Sequence, residues 1–398
     1  MKVVILLDYS FPSSNASANR YLSIAKAVKH LGHKVEIISI QATQGSEKNN
    51  NYSFKGVYEG IEYHNSSGIF YRHNNFFVRS FFRIYGKLNS FVLIYKGNKK
   101  EKIDYIFVPT STPLLDSLFF FYFKLLKIKS LMEMNEFPEI FQRGNQGKFL
   151  YFCHQNILIK CRLLDGMVLM TYVLQKYYIK NTCGKLPTFV MPMSVDIQRF
   201  ELSCTVDKNH NKYIAYCGGL SNEKDGIDIL IKAFGVITKK HQNIKLYIIS
   251  SNSSKITIDY LKHLCDEFNI SDKVIFTGHV DRNDIPLLLK NASILALARP
   301  TSYQAEGGFP TKLGEYLATK NPIIVTDVGE ITQYLKDGDS AYISKPDDIE
   351  AFAQKLDECL SDPDKAKLIG EKGYQIAEKY FDYKSQSELL NEFLIKLK

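Results

Sequence analysis

The sequence predicts an α/β protein of two doubly wound, Rossmann-like parallel-sheet domains facing each other across a cleft. Two observations carry that expectation. Short apolar, β-branched runs alternate with amphipathic helical runs along the whole chain, as βαβ units require. The alternation breaks once, at the polar stretch 201–212, and then restarts, which divides the 398 residues into domains at 1–197 and 198–377. Each half is long enough to bury a core of its own.

In the first domain Lys2–Leu7 reads as a strand, Asn19–Leu31 as a helix stopped by Gly32, and Lys34–Ile40 as the next strand, a complete βαβ unit. Further strands fit Tyr105–Val108, Ser130–Met134, Met167–Met170 and Thr188–Met191, with a helical run at Leu114–Lys127. The second domain reads as strands at Ile214–Cys217, Lys245–Ile249, Val274–Thr277, Ser293–Ala298 and Ile323–Thr326, with a helix at Ile227–Lys239 after the first of them. A C-terminal helix, about 378–398, is a candidate to cross back onto the first domain. Ligands of such sheets bind outside the carboxyl ends of the strands, so chemistry is expected in the loops there.

Composition narrows the class. Hydrophobic residues at 45% and charged residues at 23% exclude a disordered, collagen-like or coiled-coil chain. The 51 basic and 42 acidic side chains leave +9, an excess that suits an anionic small molecule or a membrane surface as well as nucleic acid. No R-G-F-type or zinc-knuckle signature supports nucleic acid, so none is expected as a partner. The seven cysteines are scattered, with no C-x-x-C pair and no Cys/His cluster at zinc spacing, and read as reduced thiols of a cytoplasmic protein. The apolar run of five before Asp8 is too short for a secretory segment, and Leu114–Leu126 is broken by Asp116 and Lys124 and too short to span a bilayer.

Three loops have the residue types for chemistry. After the first strand, D-Y-S-F-P-S-S-N-A-S-A-N-R places Ser13, Ser14 and Asn15 before a helix, where hydroxyls and free amides suit a sugar or an anion. In C-G-G-L-S-N-E-K-D-G, Gly218 and Gly219 let backbone approach a ligand, and Lys224 can neutralise a diphosphate. In R-P-T-S-Y-Q-A-E-G-G-F-P-T-K-L-G-E-Y-L-A, Arg299 to Ala318, a Gly307–Gly308 loop leads through Phe309, Pro310 and Thr311 into a helix. Its free N–H groups and Lys312 suit phosphate, and Glu315 one turn on can accept hydrogen bonds from ribose hydroxyls. On the other domain Glu133, Asn135 and Glu136 follow a strand and are expected to face the acceptor, a carboxylate orienting or deprotonating its hydroxyl.

These motifs resemble those of the family 4 glycosyltransferases, retaining enzymes of the GT-B fold that use nucleotide-sugar donors, over nearly the whole chain. Lys224 matches the lysine of the family's glycine-rich donor loop, and Glu315, inside P-T-K-L-G-E-Y-L-A, matches the glutamate that binds the donor ribose. M-E-M-N-E-F-P-E, starting at Met132, resembles the E-x-x-D-x-x-P-E segment of bacterial polysaccharide members, one residue shorter. D-G-M-V-L-M-T-Y and V-M-P-M-S-V-D-I-Q-R-F, with Asp196 and Phe200, resemble the strand-and-loop pieces that follow. The chain departs from the family at two positions. Gly219 stands where an arginine is usual, with Lys312 or Arg299 to supply the charge. The family's first glutamate stands eight positions before the second, and here that place is Gly307, Glu306 lying nine before Glu315. Either Glu306 reaches the sugar by a different loop path, or the backbone at Gly307 and Gly308 holds it.

The resemblance implies transfer of a sugar, with front-face retention, from a nucleoside-diphosphate sugar to a glycan or polyprenyl-linked acceptor in capsule, O-antigen or exopolysaccharide synthesis, with the nucleotide sugar as co-substrate and no metal. Phe76–Lys102 strengthens the lipid reading: Arg79, Arg83 and Lys87 recur at every fourth residue among aromatics, and Lys96, Lys99, Lys100 and Lys102 follow. That pattern fits a helix on an anionic membrane surface, hence a peripheral protein on the inner face of the plasma membrane, and equally a helix covering the core. The alternatives are a GT-B sugar-nucleotide epimerase, which needs no acceptor, and a non-catalytic GT-B scaffold.

Overall fold

The computed structural model describes residues 1–12, 16–42, 53–108, 113–137, 161–182, 184–202, 212–250 and 254–398. Ser13, Ser14 and Asn15, and most of the 201–212 stretch, lie outside them. Two compact units emerge, Met1–Ser194 with Tyr383–Lys398, and Val195–Asp382.

The first unit is built on an eight-stranded sheet of β1 (Lys2–Leu7), β2 (Lys34–Ser39), β3 (Lys55–Tyr58), β4 (Ile61–Asn65), β5 (Tyr105–Val108), β6 (Lys129–Met134), β7 (Gly166–Leu169) and β8 (Thr188–Val190). Their order is β3-β4-β2-β1-β5-β6-β7-β8, and every pair is parallel except β3 with β4. β1, β5 and β7 are buried along nearly their whole length, which is why they read as unbroken apolar runs. β3 and β4 escaped the sequence reading. They form a hairpin turned at Glu59 and Gly60, both at positive φ (46° and 81°), and Glu-Gly is a weaker turn signal than Asn-Gly or Asp-Gly.

The helix Phe76–Lys100 is started by Asn75, whose side chain accepts from the Phe77 and Val78 amides at 2.9 and 3.3 Å. It docks through Gly86, Lys87, Ser90 and Ile94. Gly86 has to be glycine, because a Cβ there would run into the Ile40 carbonyl. This corrects one expectation: Lys87 is 5% exposed and belongs to the packed face, so it does not continue the series of Arg79 and Arg83.

The second unit holds a six-stranded, all-parallel sheet of β9 (Tyr213–Cys217), β10 (Lys245–Ile249), β11 (Val274–Gly278), β12 (Ile294–Leu297), β13 (Ile323–Thr326) and β14 (Tyr342–Ser344), in the order β11-β10-β9-β12-β13-β14. The chain winds one way from β9 to β10 and the other way from β9 to β12, so the topological switch point lies between β9 and β12. The unit boundary falls at 194 instead of 197, and the returning helix starts at Tyr383 instead of 378. The reason is local: Val195 bridges to Asp382, its amide donating to the Phe381 carbonyl at 2.8 Å, which ties both crossing strands into the second unit. Beyond it Tyr383–Lys396 packs on the first unit, with Phe393 stacked on Phe189 at 5.5 Å and Asn391 bonded to His33 at 2.9 Å.

Candidate active site

In the second unit, the loops leaving β9, β12 and β13 are knitted together at the switch point. After β9, Ser221 caps the single turn Asn222–Asp225 by accepting from the Lys224 amide at 3.1 Å, and Gly226 ends it in the left-handed conformation, φ 66°. A Cβ on Gly226 would overlap the Ala298 carbonyl, so glycine lets this loop lie against the end of β12. Arg299, 3% exposed, donates from Nε to the Lys224 carbonyl at 3.2 Å, and its own carbonyl accepts from Thr326 Oγ1 at 2.6 Å.

Lys312 is the centre of this arrangement. Its ammonium lies 2.7 Å from Asp225 Oδ1 and 2.7 Å from Tyr216 Oη, 4.6 Å above the Tyr216 ring, with 15% of the side chain exposed. Burial pulls its pKa below the usual lysine range, while the Asp225 carboxylate pulls the other way. Gly218, at φ 154°, lies beneath this side chain, and a Cβ there would collide with Nζ and stand 2.7 Å from Cε. Gly219 has no such constraint, the nearest atom to its would-be Cβ being Asp225 Oδ2 at 3.9 Å.

The remaining residues expected to bind a donor separate. Lys224 is exposed. Glu315 pairs with Arg199 at 3.4 Å, and Arg199 also donates to the Arg282 carbonyl at 3.1 Å. Glu306 is exposed on the short helix Tyr303–Gly307, whereas Gly307 and Gly308 are buried. The Gly308 amide donates to the Gln304 carbonyl at 3.0 Å and is committed to ending that helix. The Phe309 ring is 5% exposed and packs edge-on against Tyr334 at 5.5 Å and tilted against Phe381 at 5.6 Å, which leaves its backbone, as expected from the sequence, as the part able to meet a ligand. The helix after Pro310 and Thr311, Lys312–Leu317, has six residues, and its dipole is correspondingly weak. What these loop ends offer an anion is therefore side-chain charge more than a helix start.

In the first unit, Glu133 on β6 is 4% exposed and bonded through Oε1 to Arg20 Nε at 3.1 Å. Arg20 also donates to the Met191 and Pro192 carbonyls and to Ser194 Oγ, the last at 3.2 Å. Burial raises the Glu133 pKa against the pull of Arg20. Such a carboxylate has no route to an acceptor hydroxyl, which corrects its assignment as a base: it anchors Arg20, and Arg20 anchors the segment after β8. Asn135 and Glu136 are half-buried just beyond β6.

Among the described residues no group of three or more His, Cys, Asp or Glu side chains is arranged to hold a metal ion. The chain does contain two Asp-x-Asp triplets. Asp337 and Asp339 pair with Lys355 and Lys372 at 2.7 and 2.6 Å, and Asp362 caps the helix Pro363–Ile376.

The second unit is also where the chain matches known proteins: residues 202–376 fit the model of the family "Glycosyl transferases group 1". Over that segment the chain is similar to a glycosyl transferases group 1 domain. The matched segment begins just after Arg199 and contains Gly218, Gly219, Lys224, Arg299, Lys312 and Glu315. An uncharacterized glycosyltransferase of Methanocaldococcus jannaschii is 32% identical over 158 residues, 39% of this chain and 37% of that protein. The capsular polysaccharide biosynthesis glycosyltransferase CapM of Staphylococcus aureus is 27% identical over 190 residues, 47% of each chain. The chain thus spans half or less of the length of these relatives. Solved structures match over the full length: the Anabaena protein HepE in complex with UDP and glucose superimposes with a TM-score of 0.71 at 15% identity, covering 100% of both chains. Sucrose-phosphate synthase of Thermosynechococcus elongatus has the same score at 14% identity, covering 100% of this chain and 98% of that one. The two units are those of the GT-B fold.

Proposed function

We propose that the protein is a retaining glycosyltransferase that moves a sugar from a nucleoside-diphosphate sugar to a lipid-linked glycan acceptor in surface-polysaccharide synthesis. The observation that carries this is the charged cluster at the β9/β12 switch point, where Lys312 lies over Gly218 with Lys224 and Arg299 on the adjoining loop ends. A departing diphosphate develops negative charge as the anomeric carbon gains positive character, and preorganised cations in a partly dry site meet that charge. The reading gives this task to Lys224, Lys312 and the backbone around Gly218 and Gly219, with Arg299 fixing the loop and no metal bridging the phosphates. Glu315 takes the ribose hydroxyls, Glu306 or the backbone at Gly307 and Gly308 the sugar, and Glu136 with Asn135 and the Ser13–Asn15 loop the acceptor. The UDP and glucose held by HepE, and the capsular role in CapM's name, support a nucleotide-sugar donor and a glycan product.

The test is a thermal-shift screen against nucleoside diphosphates and their sugars, followed by a transfer assay with the responsive donor. A ligand at about 100 times its dissociation constant stabilises by roughly 2.7 kcal/mol. Stabilisation by one nucleotide, lost in Glu315→Ala, supports the donor site. Turnover of that nucleotide sugar without any acceptor, giving an epimer, would replace the transferase with the epimerase.

A further inference from the structure

Among the described residues, the helix Phe76–Lys100 leaves a long apolar face without a partner. Phe77, Phe81, Ile84, Leu88, Val92 and Tyr95 are exposed by 42 to 80%, and at 100° per residue they fall within a sector of about 80°. Six large apolar side chains aligned over five turns are not the scattered exposure of an ordinary surface. A neighbouring helix adds two more exposed apolar side chains. Helix Pro113–Leu125 packs beside the first, with Phe119 stacked on Phe91 at 4.2 Å and Tyr122 Oη bonded to the Phe91 carbonyl at 2.9 Å, and it exposes Phe121 at 65% and Leu125 at 66%.

Charge identifies the occupant. Between Glu62 and Glu101 the chain has no carboxylate, yet it has seven Lys and Arg residues, in a protein with 42 acidic side chains. Lys96, Lys99 and Lys100 are exposed at the C-terminal end of the stripe, and Lys99 lies 4.8 Å over the Tyr95 ring. A second protein would bury such a face against a complementary acidic rim, but two copies of this chain would bring like charges together. An anionic lipid surface accepts both features, aromatics entering the headgroup boundary and ammonium groups remaining at the phosphates. Among the described residues no helix is long and apolar enough to cross a membrane.

We infer that these two helices form a bilayer-docking surface for anionic phospholipid, in which the Phe77–Tyr95 stripe and Phe121 and Leu125 insert and Lys96, Lys99 and Lys100 bind headgroups. The inference rests on the proposed function only in supplying the reason for docking, a lipid-linked acceptor. Its test needs no nucleotide. The full-length protein is floated with vesicles of phosphatidylcholine alone and of phosphatidylcholine mixed with phosphatidylglycerol, at low and high salt, and its oligomeric state is measured by light scattering. The expected result is flotation with the mixed vesicles only, weakened by salt. Partition should fall by about tenfold or more in Phe81→Ser/Leu88→Ser and in Lys96→Gln/Lys99→Gln/Lys100→Gln. These positions are exposed, so the melting temperature and the nucleotide response should match wild type, which separates this test from failure of the donor reading. Equal flotation of the variants, binding to both vesicle types alike, or a soluble dimer that Phe81→Ser/Leu88→Ser dissociates would each overturn it.

Discussion

Gly218→Ala tests the donor-site geometry without removing any charge. The new Cβ would occupy the space of Lys312 Nζ and lie 2.7 Å from Cε and 3.0 Å from Tyr216 Oη. A lysine terminus can swing away, so the methyl group fits only if the ammonium leaves Asp225 and Tyr216. Asp225 is 6% exposed, and a buried carboxylate that loses its cation costs about 3 to 5 kcal/mol when nothing replaces it. The 15% exposure of Lys312 lets water recover part of that, and the unfavourable φ of 154° adds about 1 kcal/mol, for a net loss of roughly 2 to 4 kcal/mol. In a unit of this size that lowers the melting temperature by about 4 to 16 °C. Diphosphate affinity should fall with it, because the methyl group takes the space over Gly218 from which the ammonium would reach a phosphate. Gly219→Ala is the control, with ordinary contact distance to its nearest neighbour, and should stay within about 0.5 kcal/mol of wild type. Melting curves and nucleotide titrations of both variants decide the matter. If Gly218→Ala melts and binds like Gly219→Ala, Lys312 does not lie over Gly218 as described.

Three further outcomes follow from the same structure. Glu315→Ala should weaken nucleotide binding by roughly 1.5 to 3 kcal/mol, about ten- to a hundredfold, and calorimetry with a nucleoside and its diphosphate should show the loss for both, since the ribose is common to them. The pKa of Lys312 is held below the ordinary lysine range, so rising pH removes its charge earlier than for a surface lysine. Diphosphate affinity should therefore decline through the alkaline range in wild type and lose that decline in Lys312→Met; a pH-independent wild type would contradict the assignment. Glu133→Ala should destabilise the first unit by about 3 to 5 kcal/mol by stranding Arg20, while Arg20→Met/Glu133→Leu should cost less than either single change, as a double-mutant cycle on thermal unfolding will show.

Much of the fold was legible because a parallel sheet writes itself as apolar runs. β1, β5, β10 and β13 match the predicted strands at both ends, and most others differ by a residue. What escaped has other signals: β3 and β4 are short and half-exposed, with a Glu-Gly turn, and β14 has only three residues. On the donor side, the glycine-rich loops and Lys312 were readable because glycine beside a strand end and lysine at a helix start have local causes. Their partners were not. Asp225 has no local pattern to mark it as the partner of Lys312, 87 positions away, and Arg199 lies 116 positions from the Glu315 it pairs with. Glu133 shows the converse error: a carboxylate at a strand end looks catalytic until burial and Arg20, 113 positions away, are known.

The two donor-side charges with the clearest proposed roles each have a partner within the unit: Lys312 has Asp225, and Glu315 has Arg199. A partly buried charge without one would shift its pKa or draw in water, so pairing keeps the loop ends ordered before any ligand arrives. The same pairing sets the condition a ligand must meet. A diphosphate gains from Lys312 only to the extent that it outcompetes a carboxylate 2.7 Å away, and a ribose hydroxyl gains from Glu315 only as it competes with a guanidinium at 3.4 Å. The looser, more exposed Arg199 pair yields at lower cost than the Lys312 pair. Removing Arg199 should then tighten or leave unchanged the binding of a nucleoside, while removing Asp225 should release Lys312 toward phosphate but cost stability. If Arg199→Ala instead weakens nucleoside binding as much as Glu315→Ala does, the guanidinium is orienting the carboxylate and not competing for it.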